Sequence, residues 1–154
     1  MRDRGRRKLP LDDIDRQLSN PALSLHAYGR LYRKDGALTP GVTAETVEAR
    51  SLEKSERIIA ALRYERYRWT PVRRIVIPKQ SGKLRPLGLP AWSDKVLQDV
   101  LRALLEAYDE PPCSRHAHGF RPQRGCHTAL GEITPHWKGV QWCSEGDSSQ
   151  CVDS

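Results

Sequence analysis

Hydrophobic positions along the chain change their repeat from helical to extended and back to helical. Leu23, Ala27 and Leu31 recur at helical spacing, with Tyr28 and Tyr32 beside them. Asn20 followed by Pro21 suits the start of that helix, because Asn caps and Pro fits the first turn. The run is expected to end near Asp35-Gly36, before a linker from Ala37 to Val42 with Pro40-Gly41 as a turn signal. Thr43 or Ser51 is the candidate cap for the next helical stretch. There Leu52, Ile58, Ile59 and Leu62 form an apolar face, and Lys54, Glu56, Arg57 and Arg63 form the wet one. Over residues 71–90 the segment VRRIVIP is β-branched, Gln80-Ser81-Gly82 is a turn cluster, and Pro86 and Pro90 oppose helix. This predicts a β-hairpin with strands at 72–77 and 83–89. Ser93 is the expected cap of a strong helix over 94–108, whose apolar face is Val96, Leu97, Val100, Leu101, Leu104, Leu105 and Tyr108. That face is expected in the core. Beyond Pro111 the chain is loop-like as far as Cys126, then a short helix is expected over His127–Ile133. The segment VQWCSEGD is expected to be a strand carrying Asp147 at its end.

Together these elements describe an α+β chain in four stretches: a basic, flexible arm (1–19), a helical block (20–70), a hairpin with its following helix (71–110), and a loop-rich end (111–154). A length of 154 residues suits one domain with a modest core. The apolar fraction is 38%, low enough to predict a heavily charged surface.

Charge narrows the partner class. The formal net charge is +7 and the pI is near 9.5, which points to an anionic partner, nucleic acid foremost. The basic start MRDRGRRKLP has no apolar stretch behind it, so neither a secretory leader nor a membrane span is expected, and a cytoplasmic protein is. The cysteines Cys113, Cys126, Cys143 and Cys151 show no repeated spacing and are expected to be reduced there.

The charge is concentrated in the hairpin. Arg73, Arg74, Lys79, Lys83 and Arg85 fall within residues 71–90, where no Asp or Glu occurs. Uncompensated cations on an exposed ribbon repel one another unless an anion meets them. Lys as a point charge and Arg as a planar fork both suit phosphate oxygens. A bland reading also exists, since lysines on edge strands discourage aggregation.

The wording IPKQSGKLRPLGLP resembles the fingers hairpin of group II intron reverse transcriptases and related retroelement enzymes. In the family's order, GALTPGVTAETVEARSLEKSERIIAALRYERYRWTPVRR resembles its N-terminal block. WSDKVLQDVLRALLEAYDEPPCSRHAHGFRPQRGCHTAL and W-x-x-x-x-W-C-x-E-G-D follow downstream. The resemblance covers about residues 20 to 154. It implies fingers followed by the first strand of an incomplete palm, and nucleic-acid contacts from Arg73, Arg74 and Lys83. Lys79 and Arg85 match residues that contact the triphosphate of an incoming dNTP. Arg121 and Arg124 are expected to face template or palm, and RNA template or intron RNA with a DNA primer are the implied partners.

By the same resemblance Asp147 matches the first catalytic and metal-binding carboxylate. Nucleotidyl transfer uses a pair of Mg2+ ions, which a single aspartate cannot hold. The family's Asp-Asp pair belongs to a later block that this sequence does not contain, so a truncated chain without polymerase activity is expected. Ser148, Ser149, Gln150 and the Cys151-Val152-Asp153 stretch also depart from the apolar exit that relatives carry. An incomplete palm exposes strand edge and apolar surface, so an oligomer or a complementing half is a further expected partner. The alternative function is a maturase remnant that binds intron RNA through Arg30, Arg33, Lys34, the arm and the hairpin. Cys113, His116, His118, Cys126 and His127 invite a zinc reading, which the absence of any C-x-x-C pair weakens. Trp69, Trp92, Trp137 and Trp142, with the Tyr28/Tyr32 and Tyr64/Tyr67 pairs, are expected in core or boundary packing rather than on bases.

Overall fold

A computed structural model describes residues 1–34, 39–46, 52–80 and 82–147. The expected helix end at Asp35-Gly36, the start of the linker at Ala37, the Ser51 cap, Ser81 of the turn and the polar exit from Ser148 to Asp153 lie outside them. The architecture is α+β. Among the described residues it comprises six helices and a two-stranded antiparallel sheet. No described helix is long and apolar enough to cross a membrane.

Two compact units divide the chain, Met1–Pro112 and Cys113–Ser154. The first holds α1 (Arg2–Arg6), α2 (Ile14–Leu18), α3 (Pro21–Tyr32), α4 (Leu52–Arg63), β1 (Arg73–Pro78), β2 (Leu84–Leu89) and α5 (Trp92–Asp109). Helix α3 starts as its sequence requires: the Asn20 side chain accepts from the Ala22 N–H at 3.0 Å, and Pro21 occupies the first turn. Its Ala27 is buried against α5, where Trp92, Val96, Val100 and Leu104 complete the core. Burying a side chain of Val or Leu size contributes roughly 1.5–3 kcal/mol, so this small cluster is the main apolar anchor of the unit. Tyr28 meets the Trp92 ring edge-on at 6.2 Å.

Ser93 does not cap α5. The helix begins two residues earlier than expected, at Trp92, with Ala91 in the capping position and no side-chain cap bond. Pro90 and a close approach from Gly41 set this entry: a Cβ on Gly41 would lie 2.6 Å from the Pro90 carbonyl oxygen. Ser93 instead donates to Glu45 at 3.0 Å. Burial raises the Glu45 pKa, but hydrogen bonds from Lys54 and Ser93 outweigh it and hold the carboxyl below its usual range.

Where a flexible basic arm is expected, the structure has α1 and α2. Gly5 is buried, and a Cβ there would meet the Tyr108 carbonyl oxygen at 1.8 Å, so the α1 backbone lies directly on the end of α5. The Tyr108 hydroxyl donates to the Leu9 carbonyl at 2.6 Å, and Arg4 pairs with Asp12. Contacts remote in sequence order the arm, and local periodicity does not register them.

The second unit contains α6 (Cys126–His136), longer than expected at both ends. The Thr128 hydroxyl closes its first turn on the Gly125 N–H at 2.9 Å and the Gly125 carbonyl at 2.8 Å. Residues 140–147, expected to be a strand, form neither helix nor strand. A strand needs a hydrogen-bonding neighbour, and the described residues supply none here. None of the unit's described residues is fully buried, so Trp137 (51% exposed) and Trp142 (89%) are not the core or boundary packers expected. Tyr64 (66%) and Tyr32 (58%) are likewise exposed, Trp69 (52%) sits at a boundary edge-on to Tyr67, and among the tryptophans only Trp92 fills the core.

Candidate nucleic-acid interface

The ribbon of β1 and β2 carries the predicted cations. Its register pairs Arg73 with Leu89, Ile75 with Leu87, and Ile77 with Arg85 on one face; Arg74 pairs with Gly88, Val76 with Pro86, and Pro78 with Leu84 on the other. The turn closes by two bonds, Lys79 N–H to the Lys83 carbonyl at 2.8 Å and Gly82 N–H to the Lys79 carbonyl at 3.0 Å. Gly82 takes φ +77°, a left-handed conformation that favours glycine. Arg73 and Arg85 thus share one face, with Arg74 on the opposite one, and Lys79 and Lys83 flank the turn just past the last ladder pair.

Every cation of the ribbon is exposed, and so are Val76, Ile77, Leu84 and Leu87. Among the described residues none of the five cations has a carboxylate within ion-pairing distance. An isolated two-stranded hairpin is marginal in water, so the ribbon relies on its root for orientation. Ile75 and Leu89, on the face that carries Arg85, are the half-buried members of the strands.

The root is clamped by a carboxylate that the sequence reading missed. Asp94, in the first turn of α5, is 1% exposed and accepts from the Tyr67 hydroxyl at 2.5 Å and the Thr70 N–H at 3.1 Å. Tyr67 and Thr70 lie in the segment that leads into β1. Burial first, then the Asp94 bond and charge, push the Tyr67 pKa far above the ordinary tyrosine value, so the hydroxyl stays a donor. Nearby, Lys95 donates to the Thr39 carbonyl at 2.8 Å, and burial and the like charge of Arg73 lower its pKa. The sequence signal for Asp94 was an acid in the first turn of an apolar helix, a pattern that reads equally as a solvated dipole partner. A second buried acid, Asp99 (6% exposed), ties α3 to α5 through Arg30 at 2.9 Å, so Arg30 has an internal partner. Arg33 and Lys34 are exposed at the end of α3.

In the second unit, Arg121 and Arg124 have internal tasks. Arg121 donates to the carbonyls of Ser114 at 2.6 Å and Ala117 at 3.0 Å, and Arg124 donates to that of Arg115. Their guanidinium forks staple the loop before α6. Glu132 joins this loop to α6: His118 Nε2 lies 3.0 Å from one carboxylate oxygen, and His116 Nδ1 contacts the other. Hydrogen bonds from His118, then His116, lower the Glu132 pKa.

Asp147 is exposed in the segment without secondary structure. Among the described residues, no three His, Cys, Asp or Glu side chains converge to hold a metal. The described donor set therefore does not fit a paired magnesium centre, nor the zinc reading, in which His116 and His118 are instead engaged by Glu132. Cys113, Cys126 and Cys143 are free and exposed.

No protein-family model matches the chain. Known proteins do. It is 43% identical over 140 residues to the group II intron-encoded protein LtrA of Lactococcus lactis subsp. cremoris, covering 90% of this chain and 23% of LtrA. It is 42% identical over 137 residues to an uncharacterized 91 kDa protein in the cob intron of Schizosaccharomyces pombe, covering 89% of this chain and 17% of that protein. A shorter match, 38% over 64 residues, joins 42% of the chain to 9% of nuclear intron maturase 1, mitochondrial, of Arabidopsis thaliana. The chain thus spans less than a quarter of the length of each of these relatives.

Proposed function

The chain belongs to the group II intron-encoded proteins and intron maturases, and from that membership we propose that its hairpin grips RNA through the phosphate backbone. The observation that carries the proposal is a solvent-open ribbon with five cations and no carboxylate partner among the described residues. Arg73, Arg74 and Lys83 meet phosphates of template or intron RNA. Lys79 and Arg85, both at the turn end of the ribbon, take the triphosphate of a dNTP, where cations stabilise developing negative charge. The full reverse-transcriptase reaction would pair a DNA primer with magnesium held by several carboxylates, of which Asp147 would be one. With the donors described, the chain alone does not extend a primer. A maturase role, assistance to intron RNA folding without catalysis, is the second reading. The maturase among its relatives favours it, and it uses the same cations.

The test is the salt dependence of RNA binding. Three phosphate contacts from Arg73, Arg74 and Lys83 give a log–log slope of roughly −2 to −3, a loss of about 20- to 40-fold between 50 and 200 mM salt. Replacing all five cations with alanine should flatten that slope. The pair Lys79→Ala and Arg85→Ala should also weaken nucleoside triphosphate binding. Unchanged affinities in both variants would refute the proposal, and a preference for intron RNA over an unrelated duplex selects the maturase reading.

A further inference from the structure

Away from the ribbon, the first unit has a recess of about 220 Å³, open to solvent, between α2, the segment after α4, and α5. Its floor is apolar, made by Leu18, Leu62, Leu97 and Leu101. Its wall is the edge-to-face pair Tyr67 and Trp69, with centroids 5.6 Å apart. The Tyr67 hydroxyl is committed to Asp94. Trp69 remains 52% exposed. Asp15 and Glu65 stand at the mouth, and neither has an ion-pair partner among the described residues, although the chain carries a net charge of +7.

We propose that this recess binds an arginine or lysine side chain presented by a protein partner, on a segment with apolar residues beside the cation. The leucine floor suits the aliphatic stem of such a side chain. Trp69 and Tyr67 attract its charged head by cation–π interaction, and the two carboxylates complement it. The same carboxylates repel phosphate, which excludes RNA from this recess and separates it from the ribbon in charge as well as position.

Glu65 supplies a test that separates folding from binding. It occupies φ +56°, the left-handed position that ends α4, where Glu65 N–H bonds Leu62 O at 3.1 Å and Arg66 N–H bonds Ala61 O at 2.8 Å. Helices that end this way prefer glycine there. Glu65→Gly therefore relieves the backbone while deleting a mouth carboxylate.

The experiment is a ¹⁵N NMR titration of the whole chain with the peptides acetyl-Leu-Arg-Leu-amide and acetyl-Leu-Gln-Leu-amide, and with a uridine decamer. The arginine peptide should move the Trp69 indole signal and bind about three- to tenfold tighter than the glutamine peptide. Asp15→Asn and Glu65→Gly should each erase most of that difference, with Glu65→Gly melting no lower than the parent. Equal binding of the two peptides overturns the proposal. So does full arginine-peptide affinity in Glu65→Gly, or displacement of the arginine peptide from Trp69 by the decamer.

Discussion

Helix α5 and the ribbon before it use charge in opposite ways. On α5, Asp94 and Asp99 are buried, and each is met by donors: Tyr67 and Thr70 for the first, Arg30 and Arg102 for the second. On the ribbon, five cations face water, and none has an acid beside it among the described residues. Buried charge left unmatched costs several kcal/mol, so a fold tolerates it only when paired. Exposed charge left unmatched costs little and stays available to a partner. The contrast teaches that the paired charges of α5 hold the scaffold, Asp94 at the ribbon's root and Asp99 against α3, while the unpaired ones are what the ribbon presents.

The largest expected effect breaks the paired side. Asp94→Ala leaves the Tyr67 hydroxyl and the Thr70 N–H without their acceptor, and should cost about 2–4 kcal/mol, seen as a melting temperature lower by roughly 5–15 °C. A melting point within a degree or two of the parent would mean that the root does not depend on this carboxylate. Next, the ribbon variant with all five cations changed to alanine should keep its stability to within about 1 kcal/mol by denaturant titration. Loss of the fold there would show that the cations serve structure as well as ligand.

The smallest effect sharpens the comparison with charge that is paired but exposed. Glu132 has a lowered pKa in the folded state, because His118 and His116 hold its carboxylate. A lowered carboxyl pKa contributes stability that is present above the unfolded value and is lost as pH falls through the folded one. The Glu132 carboxyl, followed by ¹³C NMR, should therefore titrate below the ordinary glutamate range, and its link between loop and α6 should be lost as pH falls through that lowered value. Glu132→Gln should mimic the acid state at neutral pH. If the His116 and His118 ring shifts are indifferent to this variant, the link between loop and α6 rests instead on the contact of His118 Nδ1 with the Thr128 hydroxyl at 2.9 Å.

Much of the scaffold was legible in residue order. Asn20-Pro21 marks the start of α3, the β-branched run and the Gln80-Ser81-Gly82 cluster place the strands within a residue or so, and Val96, Leu97, Val100 and Leu104 of the expected α5 face are buried, although Leu105 of that face is 38% exposed. These features depend on local conformational preference and on a repeat that any core must respect. The cations of the ribbon were equally plain, since their excess is a matter of counting.

Tertiary structure decided everything that needed a distant partner. Nothing near Asp94 in sequence announces that Tyr67 and Thr70 will reach it, nor that Gly5 and Tyr108 will turn a basic arm into two short helices. Arg121 and Arg124 read as ligands in sequence, but the loop carbonyls that claim them appear only once the chain has folded back. Residues 140–147 failed as a strand for the complementary reason. Side-chain pattern is written in the chain, whereas a hydrogen-bonding neighbour exists only where folding puts one, and no described segment stands beside them.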